Sequence, residues 1–402
     1  MKNTLNILLL SILFGGTSLA QSFTNFTVND GLIDPIVNSI AIENNNIRWF
    51  GTRNGISKLE GTTWTNYSET DGLVDNDVTS IAIDNQGNKW IGTHEGLSVF
   101  NGSTWTNYTT ANELTNNHVT SIVIDNQNNK WISTFGGGLI KFDGTTWESY
   151  RAINGAVYSD YITSSHKDNL GQLWICYYLG GATRINGSNW TFFVASFSGE
   201  FLRGSIRSMY HDTEGNHWFG STGWGVSKLA TDSTFTAFVH SDGSSYREKN
   251  MVNAIEKDKD NNFWCGTWGA GIMKFDGTNW VNITTKNSNL IDDHVYAIKK
   301  DNQDNLWICT YGGISRLDNL SSITELDNNK NYIFPNPTTS NFSIINSKQI
   351  KEVKVFDVLG NLIPIKKETD YTYSLLNFET GIYLVEIVTL DNQLITQKLI
   401  KN

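Results

Sequence analysis

Seven times along the chain a tryptophan is followed, a few residues later, by glycine in segments that nearly repeat one another. Three of them are "IRWFGTRNGI" (47–56), "NKWIGTHEGL" (88–97) and "DNLWICTYGGI" (304–314). The tryptophans are Trp49, Trp90, Trp131, Trp174, Trp218, Trp264 and Trp307, spaced 41 to 46 residues apart. Periods of that size belong to propellers or to helix-pair solenoids, and the solenoids need 3.6-residue amphipathic stretches that this chain lacks. The fold class is therefore all-β.

Each unit reads as four short strands, most clearly "VTSIAID" (78–84), "KWIGT" (89–93), "LSVF" (97–100) and "WTNY" (105–108), with β-branched and aromatic residues between turn residues. An acid stands six residues before every tryptophan: Glu43, Asp84, Asp125, Asp168, Asp212, Asp258 and Asp301. Three before it come Asn46, Gly87, Asn128, Gly171, Gly215, Asn261 and Asp304, all of types that tolerate positive φ, so the acid is expected to bond the turn backbone. A calcium loop would also need a downstream bidentate acid, which none of these segments has at that spacing. Ten before the tryptophan a small residue recurs (Ser39, Ser80, Ser121, Ser164, Ser208, Ala254, Ala297), as a crowded innermost strand requires.

The fourth-strand signature occurs at Trp64, Trp105, Trp147, Trp190, Phe235 and Trp280, but the seventh unit lacks it. "FTNFTVNDGL" (23–32) matches "WTNYSETDGL" (64–73), so the N-terminal segment can supply the missing strand and leave no open edge. The expected architecture is a seven-bladed β-propeller closed between N- and C-terminal strands and followed by a small β-sandwich. The expected domains are a signal peptide over 1–20, the propeller over 21–325 and the terminal domain over 326–402.

The pattern "DGLVDNDVTSIAIDNQGNKWIGTHEGLSVF" resembles the two-component-regulator propeller repeat of sensor ectodomains in Bacteroidetes, across roughly residues 22–318. That resemblance implies a propeller and a role in sensing glycan fragments. Those sensors usually carry two propellers and a membrane helix leading to a kinase, and this chain departs on both points.

The N-terminus "MKNTLNILLLSILFGGTSLAQ" has a basic start, an apolar run and small residues before Gln21, the pattern of a secretory signal cut after Ala20. No second apolar run is long enough to span a bilayer. Formal net charge is -10, and the charges within residues 331–402 cancel, so the deficit lies in the repeats and argues against nucleic acid as a partner. Cys176, Cys265 and Cys309 follow their repeat tryptophans by one or two residues and read as buried strand fillers, without the histidine spacing of a metal site. After "TELDNNKN" the repeat stops. "IFPNPTTSNFSI", "KEVKVFDVLGNLI", "LNFETGIYLVEI" and "QKLIKN" alternate as strands of a small sandwich and resemble the type A C-terminal sorting domain of the type IX secretion system. The resemblance implies that residues 331–402 are an address read by the secretion machinery, in which Asp357, Gly360, Gly381 and Tyr383 are structural.

Strand order places two rings of residues at one mouth of the channel. Four after each tryptophan stand Arg53, His94, Phe135, Tyr178, Thr222, Trp268 and Tyr311, with Trp224 in the same turn of unit five. Thirteen before it stand Ile36, Asp77, His118, Tyr161, Ser205, Met251 and His294. Aromatic side chains with polar tips suit sugar faces, and they equally suit turn packing against neighbouring units. His118 and His294 would face each other across the mouth, where a pair could hold a metal or act as acid and base. Acids Asp75, Asp160, Asp292 and Asp293 crowd the same loops, with Arg203 and Lys249 on one side. No paired-carboxylate, phosphate-loop or nucleophile-elbow motif stands out, and no cofactor is implied. The first reading is an exported, non-enzymatic binding module for a carbohydrate or peptide. The alternatives are a lyase or hydrolase resembling streptogramin-lyase-like propellers with a histidine at the mouth, and an envelope-assembly scaffold, because a double-propeller protein of the type IX machinery also ends in such a domain.

Overall fold

A computed structural model describes residues 23–318 except 45, 194–203 and 239–249, and residues 332–401 except for several short segments. The expected leader, Arg203 and Lys249 lie outside the described residues. The chain divides into two compact units, Met1–Asp318 and Asn319–Asn402. No described helix is long and apolar enough to cross a membrane.

The described part of the first unit holds seven four-stranded antiparallel sheets and three single-turn 3₁₀ segments, so it is all-β. Unit two is typical: Val78–Ile83, Lys89–Thr93, Leu97–Phe100 and Trp105–Tyr108 pair in chain order. The seventh sheet differs. It combines Val295–Lys300, Leu306–Thr310 and Ile314–Leu317 with the N-terminal strand Thr24–Phe26, in the register Thr24↔Arg316, Asn25↔Ser315, Phe26↔Ile314.

The repeat tryptophans are buried, from 0% to 6% exposed, and each anchors a hydrophobic cluster between successive sheets. One such cluster joins the last sheet to the first through Trp307, Cys309, Ile314, Leu32, Val37 and Phe50. Close approach between neighbours governs the column two after the tryptophan: a Cβ on Gly51 would stand 2.5 Å from Val78 Cγ1 of the next sheet and 2.4 Å from the Oγ of its cross-strand partner Ser39. Cys176 and Cys309 occupy the same column as Gly51. All three thiols are free and buried, and burial pushes those of Cys176 and Cys265 up to about 12.

Adjacent first strands are also stitched by side-chain hydrogen bonds from their second residue. Asn38 Nδ2 donates to the Val78 carbonyl (3.0 Å), Thr79 Oγ1 to Val119 (2.6 Å), Thr120 Oγ1 to Ile162 (3.0 Å), Thr163 Oγ1 to Ile206 (2.5 Å) and Asn253 Nδ2 to Val295 (3.0 Å).

The turn acids act as the sequence suggests and also hold the tryptophan. Asp84 Oδ1 accepts from the backbone of Gln86 and Asn88, while Oδ2 accepts from Trp90 Nε1 at 3.0 Å. The residue three before the tryptophan has positive φ in six units, from 61° at Asp304 to 85° at Gly215.

The described residues of the second unit form two four-stranded sheets around a core of Phe342, Val355, Leu375, Val385 and Leu399. Asp357 closes a turn by accepting from Asn361, Gly360 has φ +85°, and Tyr383 Oη donates to the Glu379 carbonyl, which are structural roles.

Candidate functional site

The strand that carries the repeat tryptophan ends in Thr or Ser in six units, and the hydroxyl of that residue closes the following turn. Thr52 Oγ1 donates to the Gly55 carbonyl (2.8 Å), Thr134 to Gly138 (2.9 Å) and Thr310 to Gly313 (2.8 Å). That turn fixes the next residue, whose backbone N–H reaches the start of the same unit's first strand. Arg53 N–H donates to Ile36, Phe135 to His118, Tyr178 to Tyr161, Thr222 to Ser205, Trp268 to Met251 and Tyr311 to His294, all at 2.9–3.2 Å. In unit two the N–H of His94 donates instead to the Asp75 carboxylate, and His94 Nδ1 lies 3.4 Å from Asp77 Oδ2. The two rings read from the sequence are thus neighbours at the end where the first strands begin.

Their side chains form two arcs. In units two to four, ring centroids run His94–His118 (4.3 Å), His118–Phe135 (5.5 Å), Phe135–Tyr161 (5.1 Å) and Phe135–Tyr178 (5.5 Å). In units six and seven, Trp268 meets His294 (6.0 Å) and Tyr296 (5.4 Å), and His294 meets Tyr311 (6.0 Å). Tyr161, Tyr178 and Tyr311 are about half exposed, and Trp224 and Arg53 are exposed as well. A hollow of about 450 Å³ opens beside the first arc, lined by His94, His118, Phe135 and Tyr178 together with Arg207 and Tyr296. Of the expected site residues, Arg53, Asp77, Tyr161, Trp224, Trp268, His294 and Tyr311 are not part of its lining.

His118 and His294 have different partners. His118 lies against His94, and burial first, then the His94 ring, pull its pKa below the usual imidazole value. His294 Nδ1 sits 3.0 Å from Asp292 Oδ1. The loop acids hold backbone or cations: Asp160 takes Arg151 at 2.8 Å and the Ala152 N–H, and Asp293 takes the Thr285 N–H and hydroxyl.

Sequence reasoning overlooked the column eleven before the tryptophan. In five units its residue makes the stitching bonds described above, but Arg207 and Tyr296 are too long for that and line the hollow. Arg207 Nε donates to Thr222 Oγ1 (3.2 Å), and desolvation lowers its pKa. Because the column varies among Asn, Thr, Arg and Tyr, it leaves no repeat signature. A second chamber of about 580 Å³ is walled by the first strands and includes His166, His211, Glu256 and Lys299. Burial holds His166 down at about 3 and His211 at about 4, so both are neutral at physiological pH.

Residues 332–402 match the profile of the secretion system C-terminal sorting domain, and residues 72–95 and 289–312 match that of the two component regulator propeller. No curated protein matches this chain in sequence. Among solved structures it is similar to PorZ, an essential surface component of the type-IX secretion system of Porphyromonas gingivalis, with TM-score 0.62 and 18% identity, covering 93% of this chain and 60% of that one. The extracellular domain of the hybrid two component system BT3049 from B. thetaiotaomicron gives TM-score 0.62 and 20% identity, covering 95% and 60%. Streptogramin B lyase gives TM-score 0.59 and 15% identity, covering 74% and 97%. The chain thus spans about 60% of the length of the first two, and at these identities the likeness concerns the fold. Two-component-regulator propeller repeats in an all-β, propeller-type unit, followed by a secretion-system C-terminal sorting domain, describe this chain.

Proposed function

We propose that the chain is an exported, non-enzymatic binding module, a closed seven-bladed propeller whose aromatic mouth takes a carbohydrate. Residues 1–20 are its export signal, and residues 331–402 engage the type IX machinery for delivery to the cell surface or the medium. Closure is supported by the strand Thr24–Phe26 in the last sheet and by the hydrophobic cluster shared between the last sheet and the first.

The observation that carries the binding reading is the hollow beside the arc from His94 to Tyr178. A sugar ring needs an apolar face to stack on and fixed donors at its edge. Phe135 and Tyr178 supply the first, and Arg207, His94 and Tyr296 the second. A glycan and peptide array on the full-length secreted protein tests it. Glycan signal lost in Tyr178→Ala at unchanged melting temperature supports the reading, and signal confined to peptides, or retained in the variant, overturns it.

A lyase is the second reading, favoured by the His94–His118–Asp77 grouping at the mouth and by likeness to streptogramin B lyase. Turnover of an array hit that disappears in His118→Ala would move the assignment to catalysis.

A further inference from the structure

The residue just before the repeat tryptophan faces the turn acid of the preceding unit. In three units it is a cation on that carboxylate: Arg48 on Asp301 (2.9 Å), Lys89 on Glu43 (2.8 Å) and Lys130 on Asp84 (3.5 Å). Unit five has His217 there, its ring 4.4 Å from that of Trp174 in unit four. The cross-strand partner of His217 is His211, and their Nδ1 atoms are 2.6 Å apart. One donor atom from each of Asp168, His211 and His217 lies within 4.8 Å of the others, the only such group among the described residues.

Two features set this wedge apart from its counterparts. In units two, three, five, six and seven the asparagine four after the acid donates to the same Oδ2 that takes the tryptophan, from Asn88 (3.0 Å), Asn129 (2.8 Å), Asn216 (2.8 Å), Asn262 (2.8 Å) and Asn305 (3.1 Å). Unit four carries Gln172 at that place, and among the described residues Asp168 Oδ2 accepts from Trp174 Nε1 alone, at 3.1 Å. The Nε2 atoms of His211 and of His166, on the first strand of unit four, are buried without a hydrogen-bond partner.

We propose that Asp168, His211 and His217 bind a divalent transition-metal cation of the zinc class between units four and five. Two imidazoles and a carboxylate are ligands that zinc takes at about 2.0–2.2 Å, with a fourth position left for water. Two nitrogens on a tetrahedral ion stand about 3.3 Å apart, so the two rings need to separate by less than about 1 Å from their hydrogen-bonded positions. Asp168 is held in place by the Leu170 and Gln172 N–H groups on Oδ1 and by the indole on Oδ2, and its carboxylate, within 4.8 Å of the imidazoles, has to approach them by up to about 1.5 Å. The ion supplies the positive charge that Arg48, Lys89 and Lys130 bring to the equivalent acids, and it clamps two neighbouring sheets. Arg184, over the Trp174 ring at 5.7 Å, opposes a divalent charge but does not occupy the site. His211 also lines the 580 Å³ chamber, whereas Asp168 and His217 are not part of its lining.

The test uses the full-length secreted protein stripped with chelator, titrated with zinc chloride by calorimetry and with cobalt(II) by visible absorption. One equivalent should bind, with the cobalt bands of a four-coordinate complex. His217→Leu and His211→Ile place at these positions the residues that other units use there, Leu173 and Leu306 or Ile42, Ile83 and Ile124, so both variants should fold and both should lose that equivalent. His94→Ala, which removes the histidine pair at the mouth, should keep it. The proposal fails if the wild type binds no equivalent, as when the two rings merely hydrogen-bond to each other. It fails equally if either variant at the wedge binds as the wild type does, or if His94→Ala alone abolishes binding.

Discussion

Replacing Phe23 by alanine tests whether the N-terminal strand is an integral part of the last sheet. Phe23 is 4% exposed and packs in the cluster of Trp264, Ile283, Leu290 and Ile308. Its backbone is gripped by Asn289, which accepts from the Phe23 N–H and donates to its carbonyl, each at 2.7 Å. Removing a buried phenylalanine side chain costs about 3–5 kcal/mol. A unit of roughly 300 residues unfolds with an entropy of about 0.6 kcal/mol/K, so the midpoint should fall by roughly 5–8 °C. Differential scanning calorimetry measures this, with Val28→Ala as the control because Val28 is 49% exposed and should move the midpoint by less than about 1 °C. A second arm asks the same question covalently. Asn25 and Ser315 are register partners whose side chains meet at 2.7 Å, so Asn25→Cys with Ser315→Cys should form a disulfide under mild oxidation. An unchanged midpoint for Phe23→Ala, together with failure of the cysteine pair to close, would refute the argument that the strand Thr24–Phe26 belongs to the sheet of residues 295–317.

Gly51→Ala should lower stability by about 1–3 kcal/mol in chemical denaturation, because the new methyl has to displace Val78 of the neighbouring sheet. Acid should destabilise the first unit of the chelator-stripped protein before its carboxylates titrate. His166 and His211 have folded pKa values of about 3 and 4, below the ordinary unfolded value near 6.5, so their contribution is complete above about 6.5 and is lost as pH falls from there towards 4. The loss approaches about 1.4 kcal/mol per pH unit and group in that window, and denaturation midpoints that stay flat between pH 6.5 and 4.5 would contradict it. Cys176, Cys265 and Cys309 should resist alkylation in the native protein at neutral pH and react only on unfolding, as mass spectrometry after a timed iodoacetamide pulse would show.

What repeats along the chain was legible, because seven copies of one environment select the same residue type at the same offset. The tryptophan column, the acid six before it, the small residue ten before it and the two rings near the mouth all follow from spacing. The structure adds physical reasons: the indole bonds the acid, and the small residue lies cross-strand from a column in which Gly51 has no room for a side chain beside the neighbouring Val78. The missing fourth strand was legible for the same reason, since "FTNF" copies the strand signature of the other units. The hollow was only half legible. His94, His118, Phe135 and Tyr178 lie in repeating columns, whereas Arg207 and Tyr296 lie in one that varies from unit to unit and so carries no signature.

The histidine wedge shows why departures from the repeat are more informative about chemistry than the repeat itself. A residue shared by all seven units answers a demand shared by all seven, namely holding a turn or filling a gap between sheets, and a ligand that binds once makes no such demand. His217 stands where other units have Arg48, Lys89, Lys130 or an apolar side chain, and His211 stands where they have isoleucine or lysine. Six residues separate the two in sequence, and hairpin register makes them direct partners. Aligning units by cross-strand register rather than by offset from the tryptophan alone would have brought them together. The same reasoning applies at the mouth, where Arg207 and Tyr296 replace the stitching Asn or Thr of the other units. If binding resides in these exceptions, then restoring the repeat there, as in Arg207→Thr and Tyr296→Asn, should remove glycan signal without lowering the melting temperature. A variant that loses stability and keeps its signal would mean that the exceptions serve packing instead.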